Sequence, residues 1–229
     1  NNLAIIGRAT AKERYKRGAK IISTMGEHAS VEKPLTYLES HGYKIAYIPT
    51  VGGEIDMAAY ERMLQYGVKM VAITQASNTL GTRPDLKAMI ALAHRHGAKV
   101  TVDGCQGVVH GGVDVLDLDC DFYAFSGHKL YAPTGIGVLY GKRELLDAMP
   151  PYMGGGDMVD KVTFAKTTYA PLPLKFEAGT SNFIAAVGLA EAIKFLQQLS
   201  AEEVEKHEKE LLDYATTELQ KIEGLHIYG

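Results

Sequence analysis

The chain has 229 residues, enough for one large domain or two small ones, and a chain this long buries a core without help from a metal or disulfide. Its 46% hydrophobic and 22% charged residues are ordinary for a globular protein, and 24 basic against 27 acidic side chains give a net charge of −3, too balanced for an electrostatic nucleic-acid footprint. Cys105 and Cys120 are the only cysteines, which excludes a disulfide scaffold and a four-cysteine zinc site, and no metal site is expected. No apolar run approaches the ~18 residues of a membrane span, and the opening Asn1-Asn2-Leu3-Ala4-Ile5-Ile6 lacks the basic region of a signal peptide. The expected setting is reducing and cytoplasmic. The absence of an initiator Met points to a piece of a longer protein.

Along the chain, short apolar runs alternate with helical patterns. Strands are predicted at Lys20–Thr24, Lys44–Ile48, Lys69–Thr74, Lys99–Asp103, Phe122–Ser126 and Gly137–Tyr140. Between them, a helix over Ala58–Leu64 is capped by Asp56, and another over Leu86–His96 follows Pro84-Asp85 and stops at Gly97. This alternation predicts an α/β fold with a mostly parallel sheet between helices. The rhythm breaks at 150–181 with Pro150-Pro151, Gly154-Gly155-Gly156, Pro171 and Pro173; the Thr, Tyr and Phe content of this stretch can supply a short hairpin, and an ordered excursion is expected rather than disorder. Two helices, Asn182–Leu199 and Ala201–Ile222, follow it. Leu225-His226-Ile227-Tyr228-Gly229 reads as the beginning of another strand.

Ligands of parallel α/β sheets collect at the carboxyl ends of the strands. Three such ends carry polar clusters: Ser77-Asn78, Asp103-Gly104-Cys105-Gln106 and Ser126-Gly127-His128-Lys129. A lysine at such an end, partly desolvated, is a competent nucleophile toward an aldehyde; alone, Lys129 reads as a solvated surface lysine. Asp103 closes an apolar run, where a carboxylate is costly unless it meets a positive group such as a protonated pyridine nitrogen. Its plainer reading is a helix cap, and Gln106 alone reads as a surface amide. Ser126 and His128 supply donors for a phosphate, yet the P-loop spacing is absent. Together, lysine, carboxylate and phosphate donors on adjacent strand ends are what pyridoxal 5′-phosphate requires.

Val102-Asp103-Gly104-Cys105-Gln106, the run from Asp119 to Tyr131 containing Ser126-Gly127-His128-Lys129, and Pro133-Thr134-Gly135-Ile136-Gly137 closely resemble the class V aminotransferase family, nearest its cysteine desulfurase/selenocysteine lyase branch. Glu27-His28, Ser77-Asn78-Thr79-Leu80-Gly81-Thr82, Met149-Pro150-Pro151-Tyr152 and Phe176-Glu177-Ala178-Gly179-Thr180 extend the match over nearly the whole chain. Asn1-Asn2-Leu3-Ala4-Ile5 and Glu27-His28-Ala29-Ser30-Val31 look more like the NifS-type subgroup, and the remainder like the SufS-type. The resemblance implies a pyridoxal-phosphate-dependent transferase of fold type I, with residues 1–229 forming its large cofactor domain, cut short at both ends. In that reading 150–181 is an active-site or dimer loop, and 201–224 is a helix leading toward a further C-terminal domain.

By the same resemblance Lys129 forms the Schiff base, Asp103 pairs with the pyridine nitrogen, and His28 stacks on the ring and shuttles a proton. Asn78 and Gln106 contact the ring substituents, Ser126 and His128 bind the phosphate, and Thr180 reaches the cofactor of a partner subunit. Without the resemblance, His28 is an unassigned histidine and Thr180 a loop hydroxyl. The implied activity removes sulfur from L-cysteine, giving L-alanine and an enzyme persulfide that feeds iron–sulfur cluster assembly, in a cytoplasmic homodimer with a sulfur-acceptor protein. Selenocysteine lyase, carbon–sulfur lyase or aminotransferase activity, or a non-catalytic cofactor-binding or dimerising domain, remain alternatives. The family's persulfide-forming cysteine and substrate-binding arginine are expected past Gly229, and a phosphate-binding threonine before Asn1, which would leave residues 1–229 inactive alone. Neither cysteine matches the catalytic-cysteine loop, and strand alternation predicts that Cys105 points away from Asp103 and Gln106. Gln75-Ala76 stands where His-Val or His-Ala often precedes Ser-Asn, Ala132 replaces a glycine, and Cys105 and Gly107 replace alanines.

Overall fold

The computed structural model describes residues 1–11, 18–51 and 54–228. In chain order its elements are α1 (Asn2–Ala9), β1 (Lys20–Thr24), α2 (Ala29–Ser40), β2 (Lys44–Ile48), β3 (Thr50–Val51), β4 (Glu54–Ile55), α3 (Met57–Leu64), β5 (Val68–Thr74) and α4 (Leu86–Arg95). They continue with β6 (Lys99–Asp103), α5 (Val115–Leu118), β7 (Phe122–Ser126), β8 (Gly137–Gly141), α6 (Arg143–Ala148), β9 (Val159–Val162), β10 (Thr167–Tyr169), α7 (Phe183–Leu196) and α8 (Ala201–Leu219).

The central sheet has six strands in the order β2-β1-β5-β6-β7-β8. The first five are mutually parallel, and β8 runs antiparallel to β7. Alternate residues of each strand feed opposite faces. Ile22, Val71, Ile73, Val100 and Val102 join Tyr60 and Leu64 of α3 and Met89, Ile90 and Ala93 of α4 in one core. Ile21, Met70 and Ala72 instead meet Ile5 and Ala9 of α1 and Val31, Leu35 and Leu38 of α2. Burial on both faces is why these strands read as continuous apolar runs.

The six strands predicted between Lys20 and Tyr140 all form. Helices α1 and α2 have no counterpart in the expected elements, and α2 carries Pro34 in its interior. Proline has no N–H to give the ladder and normally breaks a helix, but Val31, Leu35 and Leu38 bury a full apolar face against the sheet. The 150–181 stretch contains the β9–β10 hairpin, paired Thr167↔Val162 and Thr168↔Lys161. The strand expected at 225–229 does not form over residues 225–228, and Gly229 lies outside the described residues. No single described helix is long and apolar enough to cross a membrane.

At the sheet edge where the parallel strands begin, the fully buried Asp121 carboxylate accepts from Val100 N–H (2.8 Å) and His94 Nε2 (2.7 Å) and pairs with Lys99 at 3.2 Å. This ion cluster ties α4 to β6 and β7 at the end opposite the site described next.

Candidate functional site

Because β1, β5, β6 and β7 are adjacent and parallel, their carboxyl ends meet along one edge of the sheet. There they enclose a cavity of about 240 Å³ lined by His28, Asn78, Asp103, Gln106, Ser126, His128 and Lys129, with Ser30, Thr74, Ala76 and Cys105 completing its wall. The structure thus gathers these site candidates from four separate segments. Thr180 is the exception, on the exposed turn preceding α7 and outside this cavity. A larger cavity of about 540 Å³ opens beside it and shares Thr74, but its wall is mainly apolar and carries no comparable group of reactive side chains.

Each candidate is held by local structure. Lys129 sits in the single 3-10 turn Gly127–Leu130 that follows β7 directly. Gly127 is required there: a Cβ would stand 2.8 Å from Ile136 Cγ2 and 3.2 Å from Ile136 O, the carbonyl that receives the Gly127 N–H. Helix α7 closes over the following loop, with Gly188 packed so tightly on Pro133 that a Cβ would lie 2.5 Å from its Cγ. The Lys129 amine makes no hydrogen bond or ion pair among the described residues.

Asp103 is 3% exposed, at the last position of β6. Its Oδ1 accepts the Cys105 N–H at 3.0 Å and its Oδ2 accepts from Asn1 Nδ2 at 2.9 Å. These are neutral donors, and Asp103 forms no salt bridge among the described residues. A buried carboxylate left so is costly, and its neighbourhood suits an incoming cation. His28 is the N-cap of α2, its Nδ1 accepting from Ser30 N–H at 3.1 Å.

Cys105 corrects the sequence expectation. It lines the same cavity as Asp103 and Gln106, with Sγ 3.9 Å from Ser126 Oγ. The Asp103 carboxylate captures the Cys105 N–H and turns the chain off the strand, so the alternation of faces stops at Asp103. Burial, then the Asp103 carboxylate, pushes the Cys105 thiol above its ordinary range, and burial raises that of Cys120 to about 11. Neither sulfur is a ready thiolate.

Sequence reasoning did not single out three side chains. Glu27, just before His28, accepts from Thr24 Oγ1 (2.6 Å) and Thr74 N–H (3.0 Å) through Oε1, while Oε2 is buried without a partner. Burial, opposed by those two hydrogen bonds and aided by Asp103, raises its carboxyl to about 7. Asn1 and Ser30 connect Asp103 to His28. The only signal for Glu27 was its place beside His28; Asn1 and Asp103 are 102 residues apart, beyond any local pattern.

The doubly covered parallel sheet with its lysine, carboxylate and hydroxyl edge is the fold of the type-I pyridoxal-phosphate enzymes. The sequence profile described as Aminotransferase class-V matches residues 1–229, and the chain belongs to that family. It is 44% identical over 227 residues to a cysteine desulfurase of Synechococcus elongatus, covering 98% of this chain and 36% of that protein. Over 211 residues it is 46% identical to a cysteine desulfurase of Dickeya dadantii, covering 91% of this chain and 51% of that one. Among solved structures, the cysteine desulfurase CsdA from Escherichia coli superposes with a TM-score of 0.92 at 39% identity, covering 97% of this chain and 57% of that one. The chain spans about half the length, or less, of the relatives it matches.

Proposed function

We propose that this chain is the cofactor-binding part of a pyridoxal 5′-phosphate-dependent cysteine desulfurase. The observation that carries the reading is the pairing, in one cavity, of a lysine amine with a buried carboxylate, neither of which forms a salt bridge among the described residues. That pairing fits an aldehyde-bearing cationic ring. When bound, pyridoxal phosphate supplies an aldehyde for amine attachment and a pyridinium ring that accepts negative charge from a substrate α-carbon. Lys129 Nζ is the attachment point and, once released, the base that takes the α-proton. Asp103 holds a proton on the ring nitrogen by its charge. Ser126 Oγ and the His128 ring offer donors to the phosphate, with the Gly127 backbone close by. Asn78 and Gln106 would hold the ring edge, and His28 would stack on the ring and offer a ring N–H for proton exchange.

The curated relatives named above support L-cysteine as substrate, with alanine and an enzyme persulfide as products. With both thiols pushed up by burial, we assign the persulfide to a cysteine outside residues 1–229 and expect these residues alone to release no sulfide. The same reading gives a cytoplasmic homodimer delivering sulfur to an acceptor protein for iron–sulfur cluster assembly, with 150–181 as the active-site and dimer loop. In it Thr180 reaches the phosphate of the partner's cofactor, and 201–224 leads to a second domain.

The test uses the full-length protein. Borohydride treatment of the yellow, cofactor-loaded form should fix a pyridoxyl group on Lys129, and L-cysteine should yield sulfide and alanine. A reduced adduct on another lysine overturns the site. Selenocysteine turnover without cysteine turnover makes it a selenocysteine lyase, and transfer of the amino group to an oxo acid makes it an aminotransferase. An adduct on Lys129 without turnover leaves a cofactor-binding module.

A further inference from the structure

A hydrogen-bonded bridge joins two groups that line the cavity, His28 and Asp103. Asn1 Nδ2 donates to Asp103 Oδ2 at 2.9 Å and to Ser30 Oγ at 2.8 Å. Ser30 meets His28 twice: its backbone N–H donates to Nδ1 at 3.1 Å, and its Oγ lies 3.0 Å from the same nitrogen. The donor inventory fixes the direction of every link. A carboxylate only accepts, so the amide nitrogen of Asn1 faces Asp103. Its second N–H goes to the Ser30 hydroxyl, whose own proton is then free to point at His28. Because a backbone N–H already aims at Nδ1, that nitrogen is an acceptor and the neutral ring carries its proton on Nε2.

We propose that Asn1 and Ser30 are positioning residues that tie His28 to Asp103, setting the Asp103 rotamer and the Nε2–H tautomer of His28 before any ligand enters. The proposal rests on the reading that these two groups flank the cofactor ring, and it adds that they act as one unit. A change at Asn1, which does not touch His28, is therefore transmitted to it through Ser30.

The experiment records side-chain ¹⁵N signals of histidine-labelled full-length protein, cofactor-free and loaded, above the histidine titration range. In wild type, His28 should show an unprotonated Nδ1 and a protonated Nε2. Asn1→Leu should shift the His28 ring signals and weaken pyridoxal phosphate binding by about 10-fold, the scale of losing one hydrogen bond to a charged group. Ser30→Ala should shift the same signals, Ser30→Thr should restore them by returning the hydroxyl, and the Asn1→Leu/Ser30→Ala double variant should add little to either single change. The Ser30 pair keeps the test intact if Asn1→Leu fails to fold. A protonated Nδ1 in wild type, or His28 signals unmoved by both Asn1→Leu and Ser30→Ala, overturns the bridge. Shifts as expected in a protein that never binds pyridoxal phosphate sink the functional reading and leave the bridge standing. Normal cofactor binding with His28 indifferent to both changes sinks the bridge alone.

Discussion

Glu27 links the site to folding through a measurable pH dependence. Part of the residue is exposed, but its Oε2 is buried with no hydrogen-bond partner among the described residues, and burial raises its carboxyl from the ordinary 4.5 to about 7. Between those values the unfolded chain has released the proton while the folded chain still holds it. The folded state therefore binds more protons, and the carboxyl's contribution to stability falls as pH rises through this window. At 1.36 kcal/mol per pH unit, the loss approaches about 3 kcal/mol once pH passes 7. Glu27→Gln keeps an oxygen to accept from Thr24 Oγ1 and Thr74 N–H and has no proton to lose. Its stability relative to wild type should climb by about 3 kcal/mol between pH 4.5 and 8, equivalent to roughly 6–12 °C in Tm for a domain of this size. Denaturant unfolding of both proteins at a series of pH values is the assay. Parallel curves would refute the buried-acid argument. A variant that loses ground as pH rises would mean that the folded protein stabilises the Glu27 anion.

Three other outcomes follow from the geometry. Asp103→Asn should lower exchange of the substrate α-proton by about 100-fold or more while the protein stays folded, because a fixed charge is lost and an amide N–H is set against Asn1 Nδ2; wild-type exchange rates would remove Asp103 from its role. Cys105→Ala should keep sulfide release by the full-length protein within about threefold, since burial and the Asp103 charge disfavour its thiolate; abolished release would make Cys105 the nucleophile. Asp121→Ala should cost about 3–5 kcal/mol in denaturant unfolding, as breaking a buried ion pair strands its partners, and a loss below about 1 kcal/mol would show the His94–Asp121–Lys99 cluster to be incidental.

Legibility in the sequence followed the range of the forces involved. Strands were readable because each is buried on both faces, so Lys20–Thr24 and Lys99–Asp103 announce themselves as apolar runs. The site residues closing those strands were readable because a parallel sheet puts its carboxyl ends together. Helix α2 was hidden by Pro34, whose local cost is offset by tertiary burial of Val31, Leu35 and Leu38. Cys105 was misjudged because one side-chain-to-backbone hydrogen bond from Asp103 outranks strand alternation. Asn1, Ser30 and Glu27 escaped notice because their work is done across the fold: Glu27 reaches β5 at a separation of 47 residues.

Two of the departures from the family pattern turn out to be one structural unit. A Cβ on Gly107 would stand 2.1 Å from Gln75 Cδ, so the space that an alanine side chain would take at 107 is filled by the Gln75 side chain. Gln75 is not free to withdraw, because its Oε1 accepts the Tyr123 hydroxyl, and the Tyr123 ring lies so close over Gly104 that a Cβ there would be 1.9 Å from Cζ. Gln75 and Gly107 are thus complementary in shape, and Gln75 links the turn after β6 to the ends of β5 and β7. Two backbone hydrogen bonds fix the same region beside the cavity: Gln75 N–H donates to Asp103 O at 2.9 Å, and Gly104 N–H to Ala124 O at 2.8 Å. The departures at 75 and 107 therefore fit each other, next to a cavity that Asp103, Gln106 and Lys129 line together.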